Sequence, residues 1–169
     1  VNGRLVKAWT RSGKDITAAM RLVCDFPQVL TESVDIEVRG ELFGVGLSGA
    51  SSQRLAAGHI RKKVPTLNKK LSFSAFHIFG FDLFTFEHQV MCRLEDLGFK
   101  NITSRLLRSG KDEAIMIKRM FSQWEDSLLW SQYPTDGLVV KVNDRKLQAK
   151  LDKQAKTAPL WALAIKNWQ

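Results

Sequence analysis

The sequence contains no run of about 18 apolar residues, so it offers no segment fit to be a membrane-spanning helix. Its first residues lack the basic stretch followed by a long apolar run that marks a secretory signal. Cysteine is scarce. Cys24 and Cys92 stand in unrelated contexts, which argues against a disulfide and against a zinc site, whose ligands come clustered; they are expected as reduced core thiols of an intracellular protein. There is no internal repeat and no low-complexity tract. Acidic residues are the minority, 17 against 26 lysines and arginines, giving a net charge of +9. That excess fits a polyanionic partner, because cations that meet phosphates release condensed counterions. The length of 169 residues suffices for one domain with a sizeable core, and a single domain over 1–169 is expected.

What is present is organised around Thr135-Asp136-Gly137-Leu138-Val139-Val140-Lys141-Val142. Asp-Gly after Pro134 is turn chemistry, and the short β-branched run behind it predicts a buried strand. An ammonium inside a sheet is costly without an anion, so Lys141 must either reach the rim or face a negatively charged ligand. Pro159 to Lys166 is a second apolar strand closing on a lysine. In Asp35 to Phe43 apolar and charged residues alternate, which places Ile36, Val38 and Gly40 on one side and Glu37, Arg39 and Glu41 on the other. If these strands are neighbours, they build a polar-floored cleft suited to a phosphate compound.

Elsewhere, Val1 to Trp9 predicts a strand entering a turn at Thr10 to Lys14. Ile16 to Val23 has roughly helical spacing, broken at Phe26-Pro27. Gly44 to Gly58 suits a loop and a close-packed helix start, with Ser51 or Ser52 as cap and the helix running to Arg61. Arg61-Lys62-Lys63 and Lys69-Lys70 are either a solvated basic loop or a DNA-backbone contact. Leu71 to Phe81 predicts a core strand in which His77 is structural. Phe86 to Leu97 predicts an amphipathic helix stopped by Gly98, and Asn101 to Leu107 a short strand. Glu113 to Leu129 predicts a second helix with Ile117, Met120 or Phe121, Trp124 and Leu128 on one face. Val142 to Thr157 reads as a surface connection. The whole is α+β.

Taken in order, these stretches resemble the adenylation (nucleotidyltransferase) domain of NAD-dependent DNA ligases. The resemblance lies in Glu37-Val-Arg-Gly-Glu41, in Arg54-Leu-Ala-Ala-Gly-His-Ile-Arg61 (one residue shorter between its arginines than is usual), in Asp136-Gly-Leu-Val-Val-Lys141 and in Trp161-Ala-Leu-Ala-Ile-Lys166. Thr10-Arg11-Ser12-Gly13-Lys14 looks like an altered form of a further family segment. The resemblance implies antiparallel sheets with packed helices. It also implies an enzyme that adenylates itself with NAD, uses Mg²⁺, and seals nicks between 5′-phosphate and 3′-hydroxyl in duplex DNA during replication and repair. Carried over by residue, Lys141 and Lys166 contact the α-phosphate, Glu41 holds the ribose or assists a metal, Asp136 holds a metal water or a neighbouring lysine, and Arg11, Arg54 and Arg61 lie near nucleotide or DNA phosphates. No protein-built metal site is assigned.

The family's Lys-x-Asp-Gly nucleophile, expected further upstream of Arg11 than Val1 lies, is not in the sequence. The chain is therefore expected to be an N-terminally incomplete domain, a fragment or split-enzyme subunit. It would be inactive alone and completed in trans by an upstream segment or second chain, in the cytoplasm of a bacterial or phage-infected cell. Two other readings stay open: an inactive relative that binds nucleotide or nicked DNA, and a piece of an RNA-ligase or capping-type nucleotidyltransferase.

Overall fold

The computed structural model describes residues 1–80, 83–108, 110–155 and 158–166; Phe81 and Thr157, at the ends of two predicted segments, lie outside them. The chain divides into two compact units, one made of Val1–Leu83 with Val90–Ile102, the other of Phe84–Gln89 with everything from Thr103 onward. The described strands form two separate two-stranded antiparallel sheets. Mixed helix and antiparallel sheet, as read from the sequence, is what the molecule contains.

In the first unit, β1 (Glu37–Gly44) pairs with β2 (Leu71–Phe79), Glu37 opposite Phe79 and Gly44 opposite Leu71. The ladder slips by one residue beside Arg39/Gly40, a β-bulge that lets β2 carry one residue more than its partner. Gly40 is needed at that place, because a Cβ there would run into the Phe73 ring and the Ser74 carbonyl. Helix α2 (Gly49–Arg61) packs on β1, and helix α1 (Thr17–Met20) packs against α2. Their contact is the core: Met20, Val23, Ala56 and Leu71 are buried together, with Ile16, Phe26, Leu42, Leu55 and Phe73 packed around them. Phe99 closes this core edge-on against Phe26, with ring centroids 5.9 Å apart.

Several local expectations are corrected here. Val1 to Trp9 is held by isolated bridges, Arg4 to Val29 and Trp9 to Asp15, instead of a strand. α2 starts from Ser48, which makes no side-chain cap; Ser52 is buried inside the helix, where its hydroxyl accepts the Gly44 N–H at 2.7 Å. Asn101 to Leu107 forms a single bridge at Asn101 with Ala75 and no strand. Cys24 and Cys92 are free, as expected, but exposed and not in the core. His77 is half-buried, its ring edge-on to Phe79 at 4.5 Å; the fully buried histidine is His59, at 2% exposure.

Helix α3 (Glu87–Asp96) starts in the second unit and continues in the first. It ends as predicted at Gly98, whose φ of +91° only glycine adopts cheaply, with the Phe99 N–H returning to the Leu94 carbonyl at 3.0 Å. In the second unit, α4 (Glu113–Glu125) buries Met120 and stops short of Leu128, which is 78% exposed. β3 (Gly137–Lys141) pairs with β4 (Ala162–Lys166). The prediction of a buried β3 is overturned, since Val139 is 60% exposed: an isolated pair of strands covers one face at best. Between them the expected surface connection holds helix α5 (Arg145–Asp152). Its lysines hid the helical pattern, and the start signal is Asp144, whose carboxylate accepts the Leu147 N–H at 3.0 Å.

Candidate nucleotide-binding site

Register decides how the two strand-end lysines are placed. Gly137 pairs with Lys166 and Lys141 with Ala162. Directly opposed residues of an antiparallel pair share a face, as do residues two and four apart on one strand. Lys141 and Lys166 therefore lie on the same face, at opposite ends of the ladder, four residues and roughly 13 Å apart along the strands. Between them on that face lie Val139 and Ala164, both exposed. The result is a short apolar strip with an ammonium at each end.

Each lysine has a carboxylate partner. Lys166 Nζ donates to Asp136 Oδ2 at 2.7 Å in an exposed ion pair, and this hydrogen bond holds the Asp136 carboxyl below its ordinary pKa. Lys141 Nζ donates to Glu87 Oε1 at 2.9 Å and sits 5.9 Å from the centre of the Trp161 ring. Glu87 is only 6% exposed. Its second oxygen faces Gln148 Nε2 at 3.4 Å, and Gln148 also donates to the Val142 carbonyl at 2.7 Å.

Glu87 and Gln148 were not found from sequence. The one sequence signal is the lysine itself, since a strand-borne ammonium demands an anion, at the rim or in a ligand. An internal carboxylate contributed by a distant helix start is a third answer.

The other site residues belong to the first unit. Glu37, Arg39 and Glu41 alternate onto the exposed face of β1 as expected, with Val38, Gly40 and Leu42 less exposed on the other. Arg39 stacks its guanidinium 4.7 Å above the Phe79 ring. Glu41 reaches solvent, yet desolvation by its surroundings raises its carboxyl pKa above the ordinary value. The expected single cleft formed by neighbouring strands is not a shared sheet: β1 is bonded to β2, and β3 to β4.

Arg54 and Arg61 lie on α2, seven residues apart, which brings them within about 20° of one another around the helix axis. Both are exposed, on the side opposite buried Ser52, Ala56 and His59. Arg54 donates to Ser51 Oγ at 3.1 Å. Arg11 is exposed in the turn closed by Thr10 and Lys14, and that turn reaches the C-terminal end of α2, where Lys14 Nζ meets the Ile60 carbonyl at 3.5 Å. A cation at that helix end is favourably placed against the helix dipole.

Among the described residues no three histidine, cysteine, aspartate or glutamate side chains come together as a metal site. No described helix is long and apolar enough to cross a membrane.

Comparison with known proteins agrees with the ordered motifs. The family model described as the NAD-dependent DNA ligase adenylation domain matches residues 49–168. A DNA ligase of Lactobacillus helveticus (strain DPC 4571) is 35% identical over 188 residues, an alignment covering 98% of this chain and 27% of that protein. One from Lactobacillus acidophilus is 33% identical with the same coverage, and one from Cereibacter sphaeroides (strain ATCC 17023) is 33% identical, covering 97% of this chain and 26% of the relative. The chain thus spans about a quarter of the length of the curated relatives it matches. With 120 of its 169 residues inside the matched range (168 − 49 + 1), this chain belongs to the NAD-dependent DNA ligase adenylation domain family.

Proposed function

We propose that the chain serves an NAD-dependent DNA ligase as part of its adenylation domain, with the exposed β3–β4 face receiving the adenylyl phosphate of NAD. The observation that carries this reading is the placement of Lys141 and Lys166 on one face with an apolar strip between them. An anion lying along that strip meets a positive group from either end, and the strip offers the base or sugar a surface that water leaves readily.

In the reaction, the lysine of a Lys-x-Asp-Gly segment, supplied upstream or by a second chain, attacks the α-phosphorus of NAD as the free amine. A P–N bond forms, the P–O bond to nicotinamide mononucleotide breaks, and that group departs as a phosphate anion. The adenylyl group then passes to the 5′-phosphate of the nick, and the 3′-hydroxyl displaces AMP as the strand is sealed. Lys141 and Lys166 neutralise charge on the oxygens of the phosphorus under attack, where preorganised cations act most strongly. Lys166 is freed for this by giving up exposed Asp136; for Glu41, in the first unit, the family resemblance alone supports a ribose-holding role. Arg11, Arg54 and Arg61 attract nucleotide or nicked duplex DNA, aided by Lys62, Lys63, Lys69 and Lys70, all exposed. Any Mg²⁺ arrives with the substrate phosphates. Work in the bacterial cytoplasm, in replication or repair, follows from the same reading.

The test mixes this chain with a polypeptide bearing the Lys-x-Asp-Gly segment and adenylate-labelled NAD. Label is expected on the partner, and it is expected to vanish with Lys141→Ala or Lys166→Ala. Labelling retained in both variants removes the assignment.

A further inference from the structure

Glu87 lies far from every family motif in the sequence, yet it is the anion that Lys141 meets. Its place is fixed from two sides. Its own N–H donates to the Asn143 carbonyl at 2.7 Å, and the next residue repeats the contact, with the His88 N–H reaching Asn143 Oδ1 at 3.0 Å. The first turn of α3 is therefore stitched to the chain just past β3, two residues beyond Lys141. The Glu87 side chain, 6% exposed, has Lys141 Nζ at 2.9 Å and Gln148 Nε2 at 3.4 Å as its partners.

A carboxylate so enclosed would be left uncompensated if the lysine swung away, and that loss is large compared with an exposed pair. Exposed Asp136 imposes no such restraint on Lys166. The two lysines thus differ: one is free to move, the other is anchored. An ammonium has three donors; Glu87 takes one of Lys141's, and the Lys141 side chain is still 28% exposed.

We infer that Glu87, backed by Gln148, is a positioning residue that anchors the Lys141 ammonium at a fixed point of the β3–β4 face with its remaining donors free for a ligand phosphate. The inference deepens the reading of that face as an NAD site and rests on it for the ligand's identity. Lys141 then binds phosphate without first losing rotamer freedom, and Glu87 stays bonded to it throughout.

The experiment has two arms on the full chain, with thermal melting to confirm that each variant folds. In the first, ¹⁵N-edited NMR follows the Lys141 ammonium protons. They are expected to exchange slowly in the unaltered chain, to remain visible in Glu87→Gln, which keeps an acceptor of the same size, and to disappear in Glu87→Ala. A signal that persists in Glu87→Ala, or none in the unaltered chain, overturns the inference. The second arm titrates NAD and, separately, inorganic pyrophosphate. Lys141→Ala and Glu87→Ala are each expected to weaken binding about tenfold, the double variant no further, and Glu87→Gln about threefold. Losses that simply add overturn the inference while leaving the NAD site standing. Coupled loss seen with pyrophosphate but no NAD binding keeps the anchor and removes the NAD reading, and no binding of either probe overturns the anchor as a phosphate-binding device.

Discussion

Gly137 and Lys166 face each other directly in the β3–β4 ladder, and the strands close so tightly there that a Cβ on residue 137 would strike the Ile165 carbonyl oxygen and stand 3.1 Å from Lys166 Cα. The Asp-Gly turn thus does more than reverse the chain; its glycine lets the lysine strand approach. Gly137→Ala is expected to cost about 1–3 kcal/mol of stability through forced strand separation. Chemical denaturation checks this, and an unchanged midpoint would show that the ladder tolerates the methyl group.

Asp136 and Lys166 form an exposed pair, with side chains 80% and 48% accessible. Such a pair contributes under about 1 kcal/mol. Its pH sign follows from the lowered Asp136 pKa: the contribution is present above the unfolded carboxyl value of about 4 and is lost as pH falls through the lower folded value. Asp136→Asn should leave the neutral-pH melting temperature within about 2 °C and flatten the acid limb of the stability curve slightly. A large loss at neutral pH would contradict this.

Glu41 behaves in the opposite sense. Desolvation raises its folded pKa, so the native state binds the proton more tightly than the unfolded chain, and the ionised form is penalised as pH rises through the raised value. Glu41→Gln is expected to melt higher than the unaltered chain at neutral pH, with the gap closing below the ordinary glutamate pKa of about 4.3. Stability gained together with loss of NAD binding would identify a carboxylate kept at a cost for its ligand. A lower melting temperature at neutral pH would refute the desolvation argument.

His59 Nε2 donates to the Ala19 carbonyl at 2.9 Å from a fully buried ring, tying α2 to α1. Removing the ring leaves a cavity and an unpaired carbonyl, so His59→Ala should destabilise the first unit by about 2–4 kcal/mol. Urea unfolding measures it, and a loss below about 0.5 kcal/mol, the size of an ordinary surface substitution, would show that the α1–α2 contact does not depend on His59.

Asp144 caps α5 through the Leu147 N–H. Asp144→Ala is expected to cost about 1 kcal/mol and, by fraying the helix that carries Gln148, to broaden the NMR signals of Gln148 and Glu87. A cap that is energetically idle would leave both unchanged.

The sequence fared best where its signals are local. The alternation of β1, the aromatic strand β2, the span of α2 to Arg61 and the glycine stop after α3 all depend on contacts within a few residues, and the structure repeats them. It failed where the outcome depended on what lies opposite. Val1 to Trp9 has strand chemistry but receives only isolated bridges. The segment before β4 has a cap and one turn-to-turn pattern, concealed by lysines that a solvent-facing helix tolerates as readily as a loop does.

The site divides along the same line. The amino-acid order by itself determined the family and the identity of its charged residues, because motif order survives in the chain whatever its packing. Only the tertiary structure decided that Lys141 and Lys166 sit at opposite ends of one face, that one is anchored by buried Glu87 and the other loosely held by exposed Asp136. Register and burial are properties of paired segments, and a counter-ion brought in from 54 residues away leaves no mark on the sequence around the lysine it holds.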